Sequence, residues 1–487
     1  MVMRYVYLYL LVAGGVVALV LVPIFRRLSF KLGVLDRPRP GRIHTRETAL
    51  LGGMAVLAAL LAVVIAHYAG AQLGASRWLP EDIQDRVEMY MHPGGLRPLL
   101  VLLIGAIAIA LVGLVDDARG LAMGWRLVGE VIVAFVVVAL GLRFELLFLP
   151  APLAWAVAVL WIVGIANAFN FIDSMDGLAA GVGAIASALL GVFAGLSGQP
   201  ILACLLFALA GVLVGFLRYN YAPASIFLGS SGSLLVGYLL SVTVLQLTFM
   251  REGTGFLPLA IPLLILAVPL YDMLSVILIR LVRHRKPWKA DLNHLAHRLH
   301  RMGLSRRQTV LLVWLLTLAL GVNAVLLAPP PVDFPFDPFK YYAPVVLVLQ
   351  VFAVVGVLVV LEWTAFRGRR AAIATRLAAE WRLLDGEGGE ETAGCGQVHR
   401  LGPGGASIEF DGSRGDAAGA FAASRRVEVG LLFEGGIEPV RLSGEVESVS
   451  LSPEGRLLLG VRFDALSRDE RERLDFALTF YRSFGEG

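Results

Sequence analysis

Residues 167–181 read NAFNFIDSMDGLAAG and lie between two apolar runs, residues 151–166 and 179–196. Each run approaches the roughly 20 apolar residues that cross a bilayer as a helix, so the stretch lies where hydrocarbon meets water. Its four polar side chains are spaced three apart and would share one helix face if a helix continued through them. They are Asn167, Asn170, Asp173 and Asp176. The stretch predicts either a polar site at the membrane surface or a loop whose acids are solvated.

The composition of the whole chain indicates a membrane protein. Of its 487 residues, 57% are hydrophobic and 16% are charged, whereas soluble domains have about 45–50% apolar and 25% charged residues. Eleven apolar segments are long enough, or nearly so, to cross a bilayer. They begin near residues 5, 50, 99, 127, 150, 178, 201, 227, 256, 309 and 343. We therefore expect a polytopic all-α membrane protein.

Two further totals exclude other classes of protein. The two cysteines, Cys204 and Cys395, are too few for a disulfide framework or a zinc site of their own. The net charge of +4 is small for the length of the chain. We expect no nucleic-acid partner.

The distribution of basic residues predicts the orientation of the helices, because cytoplasmic loops are enriched in Lys and Arg. Residues 25–48, after the first span, contain seven Lys or Arg, and residues 280–308, after the ninth, contain nine. Residues 69–97, after the second span, contain three Arg against four acids. We therefore expect odd-numbered spans to end in the cytoplasm, with the N-terminus outside and the C-terminal tail inside.

Five unusual polar segments follow spans one, three, five, seven and nine, which places all five on the predicted cytoplasmic face. They are RPRPGRIHTRE (37–47), GLVDDARGL (113–121), NAFNFIDSMDGL (167–178), RYNYAPASIFLGSSGS (218–233) and KADLNHLAHRLHRMG (289–303). Ordinary loops would give no reason for this placement. The pattern predicts one polar site on that face.

Side chains in these segments suggest metal and phosphate chemistry. Asp116 and Asp117 close the third span, and paired carboxylates suit Mg²⁺, which keeps waters that phosphates can replace. A solvated charge pair is the simpler alternative. His294, His297 and Arg298 can share one helix face and hydrogen-bond phosphate, although a basic interfacial helix would have the same pattern.

A loop between the seventh and eighth spans suggests nucleotide binding. Asn220 and Phe227 flank this Pro-containing loop, and an amide with an exposed aromatic ring could hold and stack a nucleobase. Each is also an ordinary loop residue when taken alone. With carboxylates, basic groups and a membrane beside them, these residues suggest phosphoryl transfer between a soluble donor and a lipid acceptor.

The composition changes after residue 366. Residues 371–384 predict a helix, and residues 386–396 predict an acidic, Gly-rich linker. Short alternating segments in residues 397–464 predict a small antiparallel barrel or sandwich, followed by a helix with Ser467 as its N-cap. We expect a transmembrane domain (1–366), a juxtamembrane helix and linker (367–396), and a small cytoplasmic β-barrel domain (397–487).

The polar segments, in this order, resemble those of the polyprenyl-phosphate N-acetylhexosamine-1-phosphate transferases over about residues 5–365. Matching motifs include LGVLDRP (32–38), GLVDDARGL, NAFNFIDSMDGLAAG, YNYAPASIFLG (219–229), PLYD (269–272) and DLNHLAHRLHRMGLSRRQ (291–308). The resemblance implies a bundle of ten or eleven spans, and Mg²⁺ with Mn²⁺ as the alternative. It implies that polyprenyl (undecaprenyl) phosphate attacks the β-phosphate of a UDP-sugar and releases UMP. Such an enzyme starts a lipid-linked cell-envelope glycan in the bacterial cytoplasmic membrane.

The resemblance also implies a role for each residue at a matching position. Asp116, Asp117, Asp173 and Asp176 would be catalytic, and the last three would hold the metal. The other residues would bind substrates: Arg42 and His44 at the lipid-phosphate entrance, Asn167 and Asn170 beside the nucleotide, Asn220 and Phe227 at the uridine, and His294, His297 and Arg298 at the diphosphate.

Two substitutions depart from the family pattern. Ser230 stands where the family has a metal-binding Asp, and Ala296 stands where it has the middle histidine of its His-x-His-His motif. A hydroxyl is a weaker Mg²⁺ ligand than a carboxylate, so these positions favour an alternative function. In that alternative, the protein is a catalytically impaired membrane scaffold or regulator of glycan assembly that uses its C-terminal domain to bind partners.

The C-terminal tail loosely resembles a PilZ domain, the barrel that binds cyclic di-GMP. The order of VHRLGPGGASIEF (398–410), VRLSGEV (440–446) and LLLGVRF (457–463) fits, but residues 400–405 lack the Asp and Ser of the binding motif. We expect a degenerate domain used for protein contact or regulation, with cyclic di-GMP as the weaker alternative. A homodimer stays open.

Overall fold

The computed structural model describes residues 3–36, 47–74, 84, 93–142, 150–247, 260–282, 286, 293–326, 373–383, 393–402, 405–410, 426–432, 440–451, 457–467, 470 and 474. The chain divides into two compact units. One holds the long helices, and the other holds a β-barrel.

In the described part of the chain, the helical unit contains helices α1 to α12 in chain order. They are α1 (Met3–Leu32), α2 (Gly52–Gln72), α3 (Pro93–Arg119), α4 (Met123–Ala139), α5 (Ala151–Ile172), α6 (Leu178–Leu196), α7 (Pro200–Asn220), α8 (Gly229–Gln246), α9 (Ala260–Ile265), α10 (Ala267–Val282), α11 (Leu295–Arg301) and α12 (Arg306–Leu326). Two short strands, β1 (Leu35–Asp36) and β2 (Thr48–Ala49), pair antiparallel between α1 and α2. Within the described residues, eight helices are long and apolar enough to cross a membrane.

These helices confirm the predicted fold class of a polytopic membrane protein. The predicted ninth span is interrupted at Leu266, between α9 and α10. Pro269 explains the interruption, because a proline has no N–H to donate to the carbonyl of Ile265 four residues earlier. The predicted eleventh span, near residue 343, lies outside the described residues, so the count of eleven stays a prediction.

Helix α8 lies at the centre of the unit, and its neighbours approach it closely. Residues 231–245 of this helix are buried. Gly53 at the start of α2 lies against Gly232, where an added Cβ would come 2.1 Å from the Gly232 nitrogen. The Tyr238 hydroxyl of α8 donates to the Leu102 carbonyl of α3 at 3.1 Å. Small residues permit such contacts between membrane helices, and they fix the position of the α8 N-terminus.

We predict that Gly53→Ala destabilises the helical unit, because the added methyl group meets backbone atoms that cannot rotate away. Overpacking of this kind costs about 1–3 kcal/mol. Thermal unfolding in detergent should show a lower melting temperature. Gly164→Ala in α5 is the matched control, since no atom lies within 4 Å of its added Cβ. That control should gain about 0.5–1 kcal/mol from helix propensity, so equal shifts in the two variants would contradict the prediction.

The second unit contains a closed six-stranded antiparallel barrel with the strand order β3-β4-β5-β8-β7-β6. Its strands are β3 (Ile373–Leu383), β4 (Ala393–Gly402), β5 (Gly405–Phe410), β6 (Arg426–Leu432), β7 (Val440–Leu451) and β8 (Leu457–Phe463). Alternate side chains, such as Val427, Val429 and Leu431 of β6, are buried in its core. The small barrel predicted from the alternating segments of residues 397–464 is thus confirmed, and strands β5 to β8 lie within that range.

Two predictions for the tail need correction. The helix predicted at residues 371–384 is wrong, because β3 occupies that segment and pairs with both β4 and β6. Pairing on both edges outweighs the helix preference of its Ala, Leu and Arg residues. The predicted linker is also partly wrong, since β4 begins at Ala393, so the barrel starts well before residue 397.

The predicted helix cap at the end of the barrel is confirmed. The Ser467 N–H donates to the Glu470 carboxylate at 2.8 Å, and the Glu470 N–H donates to the Ser467 hydroxyl at 3.3 Å. This reciprocal pair is a capping box. Leu474 is buried with the barrel core.

Candidate functional site

The predicted polar segments meet at one end of the helical unit. Helices α3, α5 and α7 end there, and α8 begins there. Side chains of the 113–121 and 167–178 segments hydrogen-bond the 218–233 segment. The 289–303 segment joins them through the edge contact of His294 with Phe171, whose ring centroids are 5.7 Å apart. The predicted convergence is confirmed for these four segments, whereas Arg42 and His44 lie outside the described residues.

Asp117 holds the N-terminus of α8. Its two carboxylate oxygens accept the backbone N–H groups of Ser230 and Ser231 at 2.8 and 3.0 Å. Gly229 makes this approach possible, since it has a φ of +71° and an added Cβ would lie 2.7 Å from an Asp117 oxygen. A carboxylate at a helix N-terminus is stabilised by unpaired N–H groups and by the helix dipole. Asp117 is therefore in direct contact with Ser230, the residue that stands where the resembled family has an Asp.

Asp116 belongs to a different network from its neighbour. One of its oxygens accepts from the Arg126 guanidinium of α4 at 3.1 Å, and the other accepts from the Leu121 N–H at 3.1 Å. Arg126 also pairs with Glu130, one turn along α4, at 3.3 Å. Glu130 is only 1% exposed and accepts a hydrogen bond from Asn167 of α5. Arg126 thus links Asp116 to a buried carboxylate.

The turn between α5 and α6 holds the next two acids. The helix that would place all four polar residues on one face does not continue through Asp176, because α5 ends at Ile172 and residues 173–177 form a turn. Gly177 closes the turn with a φ of +76°, a conformation that favours glycine. Asp176 accepts the Ala224 N–H at 2.9 Å and so ties the turn to the next polar loop.

The two predicted asparagines of α5 contact different helices. Asn167 lies in the Glu130 network, whereas Asn170 donates to the Ser233 hydroxyl of α8 at 3.0 Å. Asn220 is buried, accepts the Gly177 N–H at 3.1 Å and donates to the Ile226 carbonyl at 2.9 Å. Asn220 therefore shapes the loop that carries Phe227, and the predicted contact of either residue with uridine stays a prediction.

Asp173 is the acid whose surroundings most favour a bound cation. Its carboxylate makes no hydrogen bond or ion pair with the described part of the chain. Burial, followed by the negative charges of Asp117 and Asp176, raises the pKa of Asp173 to about 8. A cation beside these acids would reverse that effect by favouring the charged form. Among the described residues, no three His, Cys, Asp or Glu side chains are grouped closely enough to hold a metal by themselves.

His294 and Arg298 are held by residues of α10. The His294 Nδ1 atom lies 2.9 Å from a carboxylate oxygen of Asp272. The Arg298 guanidinium donates to the Ser275 hydroxyl at 2.7 Å and lies over the Tyr271 ring at 5.7 Å. The rings of His294 and His297 are 6.3 Å apart. The predicted histidine and arginine group is therefore brought together.

Three buried or half-buried charged residues of the site were missed from the sequence. Arg126 and Glu130 are four residues apart in an apolar segment, and Asp272 lies in another. An ionisable residue inside a membrane segment is itself a sign of function. The presence of these three ionisable residues in apolar segments could therefore have identified them. Their partners, which are Asp116, Asn167 and His294, could not be inferred from spacing.

The fold and the site define an integral membrane protein with an acid-rich polar site at one end of its helices. Residues 99–248 match the family model described as glycosyl transferase family 4. The chain is 30% identical over 317 residues to the probable undecaprenyl-phosphate N-acetylglucosaminyl 1-phosphate transferase of Bacillus subtilis (strain 168), covering 63% of this chain and 81% of the relative.

Other relatives have similar names. The decaprenyl-phosphate N-acetylglucosaminephosphotransferase of Mycobacterium tuberculosis (strain ATCC 25618 / H37Rv) is 31% identical over 60% of this chain and 74% of its own length. The undecaprenyl-phosphate alpha-N-acetylglucosaminyl 1-phosphate transferase of Yersinia pestis is 26% identical over 62% and 79%. The chain belongs to glycosyl transferase family 4.

Proposed function

We propose that this protein transfers a sugar 1-phosphate, N-acetylglucosamine 1-phosphate in the first instance, from a UDP-sugar to polyprenyl phosphate. The observation that carries the proposal is the meeting of the Asp117, Asp173 and His294 segments at one end of the helices. The names of the relatives support the acceptor and the sugar. Such an enzyme starts a lipid-linked cell-envelope glycan.

The reaction replaces one phosphorus–oxygen bond by another. An oxygen of polyprenyl phosphate attacks the β-phosphorus of the UDP-sugar, and the bond from that phosphorus to the bridging oxygen of UMP breaks. UMP leaves with the electron pair, and the sugar stays on a lipid-linked diphosphate. Positioning and neutralisation of charge supply most of the catalysis in such transfers.

The residues of the site fit these needs. Asp117, Asp173 and Asp176 would hold Mg²⁺ together with substrate phosphates, since Mg²⁺ is usually bound by one or two carboxylates and phosphate oxygens. Bound Mg²⁺ would neutralise charge that develops on the phosphates. His294, His297 and Arg298 would contact the diphosphate, and Phe227 would stack on the uracil ring.

The distribution of basic residues supports a location of this site on the cytoplasmic side of a bacterial inner membrane. UDP-sugars are soluble cytoplasmic metabolites, so the donor would reach the site from that side. The barrel, which follows the last predicted span, would lie in the cytoplasm too. We propose that it contacts a protein partner or regulates the enzyme, with cyclic di-GMP as the weaker alternative ligand.

Release of UMP from a panel of UDP-sugars tests the proposal. Purified full-length protein with Mg²⁺ and undecaprenyl phosphate should release UMP, with UDP-N-acetylglucosamine as the first donor to test. Ser230→Asp restores the acid of the family pattern next to Asp117 and should not abolish the reaction. If no donor releases UMP and Ser230→Asp gains no activity, the enzyme proposal is wrong.

The alternative function, a catalytically impaired scaffold, is favoured by Ser230. Its backbone N–H binds Asp117, while its hydroxyl brings no charge to the three acids. The UMP assay separates the two functions, because a scaffold would leave every UDP-sugar intact while keeping its thermal stability.

A further inference from the structure

We propose that Asp272 is a positioning residue that orients His294 for the diphosphate of the donor. Its carboxylate would fix the proton of His294 on Nδ1, so that Nε2 is the nitrogen presented to the substrate. This inference rests on the proposed function for the identity of the substrate. The orientation itself follows from contacts between α10 and the start of α11.

Asp272 contacts the side chain of His294 and the backbone of the next residue, Leu295. One oxygen lies 2.9 Å from His294 Nδ1, and the other accepts the N–H of Leu295, the first residue of α11. Asp272 is 1% exposed. A buried carboxylate needs such partners, because an unpaired one would be costly.

The geometry assigns the His294 nitrogens different tasks. An ionised carboxylate can only accept hydrogen bonds. In the hydrogen bond between Asp272 and His294, the proton therefore lies on Nδ1 of His294. The other nitrogen, Nε2, makes no hydrogen bond with the described part of the chain. Carboxylate partners of functional histidines fix both the tautomer and the orientation of the ring in this way.

A second contact restricts rotation of the His294 ring. Phe171 lies against it edge-on, with an angle of 67° between the rings. Phe171 is next to Asn170 and two residues from Asp173. The guanidinium carbon of Arg280 lies over the Phe171 ring, 5.3 Å from its centroid. The His294 ring is therefore held by α10 on one side and by the acid-bearing end of α5 on another.

Asp272→Asn tests this role, because it keeps the shape of the side chain but introduces an NH₂ group. If the amide oxygen accepts the Leu295 N–H, the NH₂ group faces Nδ1 and favours the tautomer with its proton on Nε2. We expect kcat/KM for the UDP-sugar to fall by about 10–100-fold, the loss known for removing the carboxylate partner of a metal-binding histidine. The KM for undecaprenyl phosphate should change little.

A double-mutant cycle separates orientation of His294 from a structural role. If Asp272 acts through His294, adding Asp272→Asn to His294→Gln should cost no further activity. If Asp272 only stabilises the start of α11 through Leu295, the two losses should multiply, which would overturn the proposal.

Nuclear magnetic resonance of the ¹⁵N-histidine-labelled protein tests the orientation without any activity. The His294 signal, assigned by its loss in His294→Gln, should show a protonated Nδ1 in the wild type and lose that proton in Asp272→Asn. An unprotonated Nδ1 in the wild type would overturn the inference. Absence of UMP release with every donor would instead contradict the proposed function.

Discussion

Asp117→Asn is expected to lower the rate of UMP release by on the order of 10³-fold, the size of loss seen when one preorganised electrostatic group is removed from an active site. Asp117 both accepts two N–H groups at the start of α8 and adds its charge to those of Asp173 and Asp176. Asparagine keeps the volume but removes the charge. Its NH₂ group would also face a backbone N–H, so that two donors oppose each other.

The matched control is Asp464→Asn in the barrel. Asp464 pairs with Arg426 at 2.5 Å in a half-exposed ion pair, and exposed pairs contribute at most about 1 kcal/mol. This control should keep the wild-type rate. Thermal unfolding of Asp117→Asn shows whether the protein is folded, and a folded variant with more than about a tenth of the wild-type rate would contradict the role given to Asp117.

Arg126→Ala is expected to cause the largest loss of stability among single substitutions in the site. It leaves Asp116 and the almost fully buried Glu130 without their cation. Removing one partner of a buried ion pair costs about 3–5 kcal/mol, because the remaining charge is buried and unpaired. Unfolding in detergent measures this loss as a decrease in the free energy of unfolding.

Two further variants decide whether the buried charge is the cause. Glu130→Gln added to Arg126→Ala removes the unpaired carboxylate and keeps an acceptor for Asn167, so it should recover part of the stability. Arg119→Ala removes an exposed arginine from the last turn of α3 and should change stability by less than about 1 kcal/mol. Equal losses in Arg126→Ala and Arg119→Ala would contradict the network.

The meeting of the polar segments at one end of the helices could be predicted from the sequence. Successive spans end on alternate sides of the membrane, and this alternation requires no knowledge of packing. Segments that follow odd-numbered spans must lie on the same side, and the contact between Asp117 and Ser230 joins two of them over 113 residues of sequence. The acids, amides and histidines could be found in this way.

Contacts between particular helices could not be predicted from spacing. Asn167 and Asn170 lie three residues apart in α5, yet they hydrogen-bond side chains of two different helices, α4 and α8 respectively. The roles of Arg126, Glu130 and Asp272 depend on partners outside their own helices, which are Asp116, Asn167 and His294. The strand at residues 373–383 was misassigned as a helix for a similar reason, since pairing with β4 and β6 outweighs its local preference.

The central claim is that sugar and phosphate move together to a lipid. A UDP-N-acetylglucosamine labelled at the β-phosphorus tests this most directly, with full-length protein, Mg²⁺ and undecaprenyl phosphate. We predict that the label passes into the organic phase as a lipid-linked diphosphate while unlabelled UMP stays in water. Label that remains in water as UDP, or as intact donor for every UDP-sugar tried, would contradict the claim.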